Sequence, residues 1–290
     1  MNRRHFVHRT ALSGFALYFT PSRMHQVKGK HIGIQLYSVR DIVVADPAGT
    51  LAKLSAMGYT EVEGYLYHDG LFHSYPPKVF KKVLSDLGMR MVSMHHGINM
   101  SHWDSAYNRL SDAAQKVIDD HVAMGVDLLI CPGVDESDKA PESFKRLCEV
   151  FNHMGEACKK AGIQFGYHNH EYEFTSHKKG NLMEILLQHT DPALVSWEMD
   201  LYWVEYARQD PVHWIRQNPG RIIAFHVKDL ADSTNRETAV VGDGRIDFQR
   251  IFQLRETAGV KYYIVELEHY TTTSLNGVER CLKNLRQLLS

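Results

Sequence analysis

The sequence predicts a single (β/α)8 barrel of the α/β class. Three observations predict it: eight short β-rich runs, a helix-compatible segment after each, and glycine or proline punctuating the joints. The runs are HIGIQLY (31–37), YTEVEGY (59–65), RMVSMHH (90–96), VDLLICP (126–132), IQFGYHN (163–169), LVSWEMD (194–200), RIIAFHVKD (221–229) and YYIVELE (262–268). Asp46-Pro47, Pro76-Pro77 and Asp210-Pro211 open helical segments, because proline suits a helix's first turn. Gly58, Gly88, Gly125, Gly162 and Gly259 stand just before strands, where glycine ends the preceding helix. No Pro/Ser-rich linker breaks the pattern, so the barrel spans residues 29–290; a doubly wound open sheet is the alternative.

Residues 1–28 do not read as part of the barrel. Arg3-Arg4 followed by Phe6-Val7 and a short apolar run from Ala11 to Phe19 has the pattern of a twin-arginine export signal. The apolar run is too short to span a bilayer. The expectation is an exported, periplasmic protein, with a basic cytosolic tail as the alternative.

The 290 residues carry 33 Lys and Arg against 34 Asp and Glu, a net charge of −1. Basic residues are scattered, which argues against nucleic acid as a partner, since phosphate binding needs concentrated positive charge. The four cysteines, Cys131, Cys148, Cys158 and Cys281, lack metal-binding spacing and read as ordinary buried thiols. Histidine is the compositional oddity, with 18 in the chain.

Barrel strands alternate inward and outward side chains, and barrel active sites lie at the strands' C-terminal ends. In strand six Ser196, Glu198 and Asp200 share a face, with Asp200 at the end. In strand seven Ala224, His226 and Lys228 share one; in strand eight, Glu266 and Glu268; in strand five, Gly166, His168 and His170. Four consecutive strands thus aim ionisable groups at one place, where a barrel interior normally holds branched apolar residues and unpaired charge is costly. A divalent metal would satisfy them together. Asp200, His226 and Glu266 are the expected ligands, with His168 as a fourth or as a hydrogen-bonding group. A salt-bridged structural cluster is the alternative. Mixed carboxylate and imidazole donors suit manganese, cobalt, zinc or iron better than calcium.

Glu63 on strand two and His95 on strand three reach the site from the opposite wall, as catalytic or substrate contacts. His96 has the wrong parity and reads as structural. Gln35 on strand one and His170 are candidates for substrate binding.

At these residues the chain resembles the sugar phosphate isomerase/epimerase superfamily, the xylose-isomerase-like TIM barrels. The resemblance runs from about His31 to the end, through GIQLYSVRD, GYTEVE, VSMHH, YHNHEYEF, WEMD, HVKDL, VGDGRIDF and YIVELE in that order. It implies metal ligation by a glutamate on strand five, an aspartate on strand six, a histidine on strand seven and a glutamate on strand eight. The last three match Asp200, His226 and Glu266. Strand five departs, with His168 where glutamate is expected, which makes the site one charge more positive. Lys228 is similar to the lysine of the HxKD motif in the histidine-rich branch.

The resemblance implies a metal-dependent isomerase or epimerase that abstracts a proton next to the carbonyl of a sugar or keto-sugar, with Glu63, His95, Lys228 or Glu268 handling protons. The runner-up is a lyase that eliminates the aglycone of a 3-keto-glycoside. An endonuclease IV-like phosphodiesterase and a non-catalytic sugar-binding barrel are further alternatives. The expected partner is a small carbohydrate; oligomeric state is left open.

Overall fold

The computed structural model describes residues 31–176 and 180–290, so the predicted export segment lies outside the described residues. Eight strands form the barrel: β1 (His31–Gln35), β2 (Glu61–Gly64), β3 (Arg90–His95), β4 (Leu128–Cys131), β5 (Gln164–His168), β6 (Val195–Asp200), β7 (Ile222–Val227) and β8 (Tyr262–Val265). All neighbours pair in parallel, and β8 closes on β1 through His31 opposite Tyr262 and Ile34 opposite Val265. Every predicted strand is present, trimmed by one to three residues at its ends.

The punctuation falls where local physics puts it. Pro47, Pro77 and Pro211 occupy the first turns of α1 (Pro47–Met57), α2 (Pro77–Asp86) and, later in the chain, the helix Pro211–Gln217. There the missing amide hydrogen costs no hydrogen bond. Asp46 and Asp210 cap the first and last of these by accepting from the Gly49 and Val212 amides, at 2.9 and 3.0 Å. The five joint glycines all have positive φ, from 68° at Gly88 to 104° at Gly58.

Two apolar layers hold the barrel. The larger lies between strands and helices, and includes Phe144 and Phe151 of α4 (Pro141–Ala161, after α3, Asp112–Met124) against Phe165 and Tyr167 of β5. The smaller is inside the barrel, where Val92, Leu128, Ile130, Ile223, Ala224, Tyr262 and Ile264 form a plug. Gly33 and Gly166 make room for it: a Cβ there would stand 2.8 Å from Ile264 Cδ1 and 2.7 Å from Ile130 Cδ1. All four cysteines are buried and free, as the sequence predicts.

Among the described residues three antiparallel ribbons rise after strand ends: Tyr67–His68 with Leu71–Phe72, Trp103–Asp104 with Arg109–Leu110, and Asp229–Leu230 with Thr238–Ala239. They follow β2, β3 and β7, so they build up the mouth of the barrel where the ionisable side chains emerge. Asp229 fixes the last of them by accepting from the amides of Gly242, Gly244 and Ile246 at 2.8 to 3.1 Å. No helix among the described residues is long and apolar enough to cross a membrane.

Candidate metal centre and reaction cavity

Above the apolar plug the barrel interior turns polar in two levels. The deeper level holds Glu63 from β2 and Glu198 from β6, both fully buried. The upper level holds Asp200 from β6, His226 from β7 and Glu266 just past β8, and His168 from β5 stands between the two. Strand register sets this, because Glu198 pairs beside His168 while Asp200, two residues and about 6.6 Å further along β6, pairs beside His226.

Each imidazole bridges the levels. His226 Nε2 lies 2.6 Å from Glu63 Oε1 and 3.2 Å from Glu198 Oε2, while its Nδ1 faces Glu266 Oε2 at 3.2 Å and Asp200 Oδ2 at 3.9 Å. His168 Nδ1 lies 3.1 Å from Glu198 Oε2, and its Nε2 faces Asp200 Oδ2 at 3.8 Å. His95 Nε2 sits between the deeper carboxylates, 3.0 Å from Glu63 and 2.8 Å from Glu198. A buried carboxylate behind one ring nitrogen, with the other nitrogen facing a common point, is the arrangement that orients histidine toward a metal.

Two overlapping donor groups result, sharing His226: His95, His168, Glu198 and His226 in one, and Asp200, His226 and Glu266 in the other. Asp200 Oδ2, Glu63 Oε2 and Glu198 Oε1 are buried without a hydrogen-bond partner. An unpartnered buried carboxylate oxygen is expensive, and that of Asp200, which faces both imidazoles and Lys228 at 3.8 to 3.9 Å, fits a cation as its missing partner.

The charges agree. Burial, reinforced by Glu63, pushes the Glu198 carboxyl up to about 7. Burial also pushes Asp200 up to about 7. Burial disfavours the charged rings of His95 and His226, yet the surrounding carboxylates overcome it, raising His95 to about 9 and His226 well above its ordinary value. Burial and the neighbouring cations hold His168 well below its ordinary value. Without a cation, protons on two imidazoles supply positive charge that a metal would otherwise bring.

Lys228 is fully buried beside this cluster, 3.1 Å from Glu266 Oε2 and 3.8 Å from Asp200 Oδ2, and it also ion-pairs with Glu268. Its ammonium lies 5.1 Å from the Tyr202 ring centre and 4.9 Å from that of Trp203, side chains of α6 (Leu201–Tyr206, after α5, Leu182–His189). Burial opposes the charge, but Glu266, Asp200 and Glu268 more than offset it, so Lys228 stays an ammonium. Glu266 is held well below the usual carboxylate range, Lys228 and His226 outweighing its burial.

A cavity of about 570 Å³ opens over the cluster. Gln35, His95, His168, His170, Lys228, Glu266 and Glu268 all reach its wall, with Tyr37, Tyr65, Tyr67 and Trp203 supplying aromatic surface. Glu63 lies below that surface, among Gln35, His95 and His226, a place for orienting histidines more than for carrying a substrate proton. Gln35 is engaged at both ends of its amide: Nε2 donates to Glu63 at 2.8 Å, and Oε1 accepts from the Tyr37 amide at 3.1 Å. His170 stays outside both donor groups, as befits a wall residue. His96 also reaches the cavity, but its ring packs edge-on against Tyr67.

Sequence reasoning did not single out Glu198. It supplies, one strand over and in register with His168, the carboxylate expected at position 168, so the charge that the histidine removes from β5 returns beside it. Its shared face with Asp200 was the available signal.

A parallel barrel with a carboxylate–imidazole cluster at the strand ends defines the class of barrel enzymes to which this chain's relatives belong. The xylose isomerase-like TIM barrel family profile matches residues 51–288, and the chain belongs to that family. A solved sugar phosphate isomerase/epimerase from Parabacteroides distasonis ATCC 8503 is 30% identical, with a TM-score of 0.78 over 92% of this chain and 97% of that one. The inosose dehydratase of Geobacillus thermodenitrificans is 24% identical over 222 residues, 66% of this chain and 73% of the relative. For that of Bacillus cereus strain AH820 the match, 25% identical over 144 residues, spans about half the relative, 48%. The IOLI protein, solved with a bound zinc atom, shares the fold at 14% identity and a TM-score of 0.66 over 90% of this chain. The relatives are isomerases, epimerases and carbon–oxygen lyases, and the chain is an enzyme of that type.

Proposed function

We propose that this protein is a divalent-metal-dependent enzyme of the isomerase and epimerase type, abstracting a proton next to the carbonyl of a sugar or keto-sugar. The observation that carries this reading is the position of Asp200 Oδ2, buried, unpartnered and facing one nitrogen each of His168 and His226. His168, Asp200, His226 and Glu266 would hold the metal, with manganese, cobalt or zinc suited to the donor set. When bound, such an ion polarises a substrate carbonyl and the adjacent hydroxyl, acidifying the C–H bond between them.

The protein's own groups do the rest. Glu63 and Glu198 orient His226 and His168. Glu268, one third exposed and at the cavity wall, would take the carbon-bound proton, while the Lys228 ammonium would neutralise charge developing on oxygen. Tyr37, Tyr65 and Trp203 offer apolar surface for the carbon face of a sugar ring.

A second reading is β-elimination from a 3-keto-glycoside, supported by the Lys228 ammonium at the cavity wall and by the dehydratase relatives. There the C2–H bond breaks, a C1–C2 double bond forms, the C1–O bond breaks, and the departing oxygen takes a proton from solvent while the Lys228 ammonium offsets its charge, with no net redox change. Export by the predicted signal belongs to the same proposal, since it would bring the enzyme to free sugars and glycosides instead of cytosolic sugar phosphates.

The test is a screen of metal-loaded protein in D2O against keto-sugars and 3-keto-glycosides, read by product NMR. Deuterium at the carbon next to the carbonyl, or release of an aglycone, is expected. Absence of both with every keto-sugar would overturn the proposal.

A further inference from the structure

Beside the reaction cavity lies a second chamber of about 320 Å³, between the loops that follow β3 and β4, walled by Asn99, Val134, Asp135 and Tyr172. The two hollows share Gly97, Pro132 and His170, so they are lobes of one groove. The saddle between them is open: a Cβ added to Gly97 would meet nothing within 4 Å. Gly133 keeps the neck clear, since a Cβ there would stand 2.8 Å from the Tyr172 hydroxyl.

His170 is the partition, and it is held rigidly. Its backbone amide donates to Glu173 Oε2 at 2.8 Å, and its ring stacks on Tyr172 with centroids 5.9 Å apart and planes 12° from parallel. On its far side the ring meets Trp203 of the reaction cavity at 5.5 Å. Its Nδ1 is buried without a hydrogen-bond partner and lies 3.8 Å from where a Gly133 Cβ would stand, so this vacant position faces the second chamber's side. The unmet nitrogen needs a polar partner, and a group in the neck between the lobes would supply one.

The lining shapes the chemistry of the occupant. Ile98, Pro132 and Val134 are apolar, Asn99 and Asp135 form a hydrogen-bonded polar edge at 3.2 Å, and neither Lys nor Arg lines the chamber among the described residues, Lys139 lying 4.2 Å from the Tyr172 ring centre. Apolar surface beside a polar edge suits an uncharged ring bearing hydroxyls.

The geometry points to a two-part substrate: a sugar reacting over the metal cluster, linked through a bridging oxygen beside His170 to an uncharged aglycone or second sugar ring in the second chamber. This rests on the reading that the larger cavity is where the sugar reacts. It makes the preferred substrate a glycoside and gives His170 the bridging oxygen as a contact.

The test compares methyl and benzyl 3-keto-glucosides, whose leaving groups are similarly basic, on the full-length, metal-loaded protein, as wild type, Val134→Trp, which fills the chamber, and Asp135→Ala, an exposed position. Wild type is expected to favour the benzyl compound by about tenfold or more in kcat/KM, the scale on which a filled apolar pocket discriminates. Val134→Trp should erase that ratio, and Asp135→Ala should lower the corresponding ratio for a disaccharide over the methyl glycoside. Equal kcat/KM for methyl and benzyl compounds in wild type, or a ratio that survives in Val134→Trp, would overturn the inference. Should no compound turn over, the proposed reaction fails, and saturation-transfer NMR with unreacted phenyl β-glucoside decides the chamber alone. Saturation of the phenyl protons that Val134→Trp abolishes supports it; no saturation overturns it.

Discussion

His226 and Glu63 meet at 2.6 Å through Nε2 and Oε1, which turns the opposite nitrogen, Nδ1, toward Asp200 and Glu266. Glu63 thereby sets the direction in which His226 can donate electrons. Glu63→Gln keeps the shape and removes the charge, so it should weaken metal binding about 10- to 100-fold without abolishing it, as such orienting carboxylates do elsewhere. Calorimetric titration with zinc or manganese reads this directly; an unchanged affinity would show that Glu63 does not orient the histidine.

Metal binding should release protons and tighten with rising pH. Burial pushes the ligand Asp200 up to about 7 and carboxylates hold the ligand His226 well above its ordinary value, while the neighbouring Glu198 and His95 stand near 7 and 9, so at lower pH protons compete with a cation for this cluster. Affinity is expected to climb between about pH 6 and 9, and titrations in buffers of different ionisation enthalpy should report net proton release. A pH-independent affinity would contradict the protonation pattern.

Lys228→Met should leave bound metal largely in place but reduce kcat by about 100-fold or more, the usual contribution of a fixed charge aimed at a developing oxyanion. The ammonium lies beside the donors instead of among them, 3.1 Å from Glu266 and 3.8 Å from Asp200. Metal content and kcat measured on the same preparation separate the two roles; parallel loss of both would mean that Lys228 chiefly organises the cluster.

Acid stability should depend on histidines remote from the cluster. Burial lowers His73 to about 4 and His121 to about 3, and neither His73 nitrogen has a hydrogen-bond partner. Below about pH 6.5 the unfolded chain binds protons that the folded chain refuses. Their stabilising contribution is therefore full above that pH and is lost as pH falls from 6.5 toward 4. His121→Leu should flatten the decline in melting temperature over that interval, measured by thermal denaturation; an unchanged slope would remove His121 from the explanation.

Much of this was legible in the sequence because its causes are local. Proline at a first turn, glycine at a left-handed joint and alternation along a strand each act within a few residues, so all eight strands and the convergence of Asp200, His226, Lys228 and Glu266 could be read directly. Depth could not. Alternation tells which face a side chain is on, but only the register between β5 and β6 places Glu198 beside His168 and reveals it as the displaced carboxylate. The partners of Gln35 were illegible for a related reason: its amide meets Glu63 and the Tyr37 backbone through the β1–β2 register and the turn after β1.

The central claim, that His168, Asp200, His226 and Glu266 hold a divalent metal, is tested most directly by elemental analysis of purified protein. Wild type, Asp200→Ala and His226→Ala would be saturated with metal, desalted and measured alongside circular dichroism to verify folding. Wild type is expected to retain about one equivalent, and both folded variants far less, since each loses a direct ligand. Equal retention in wild type and both variants would contradict the assignment.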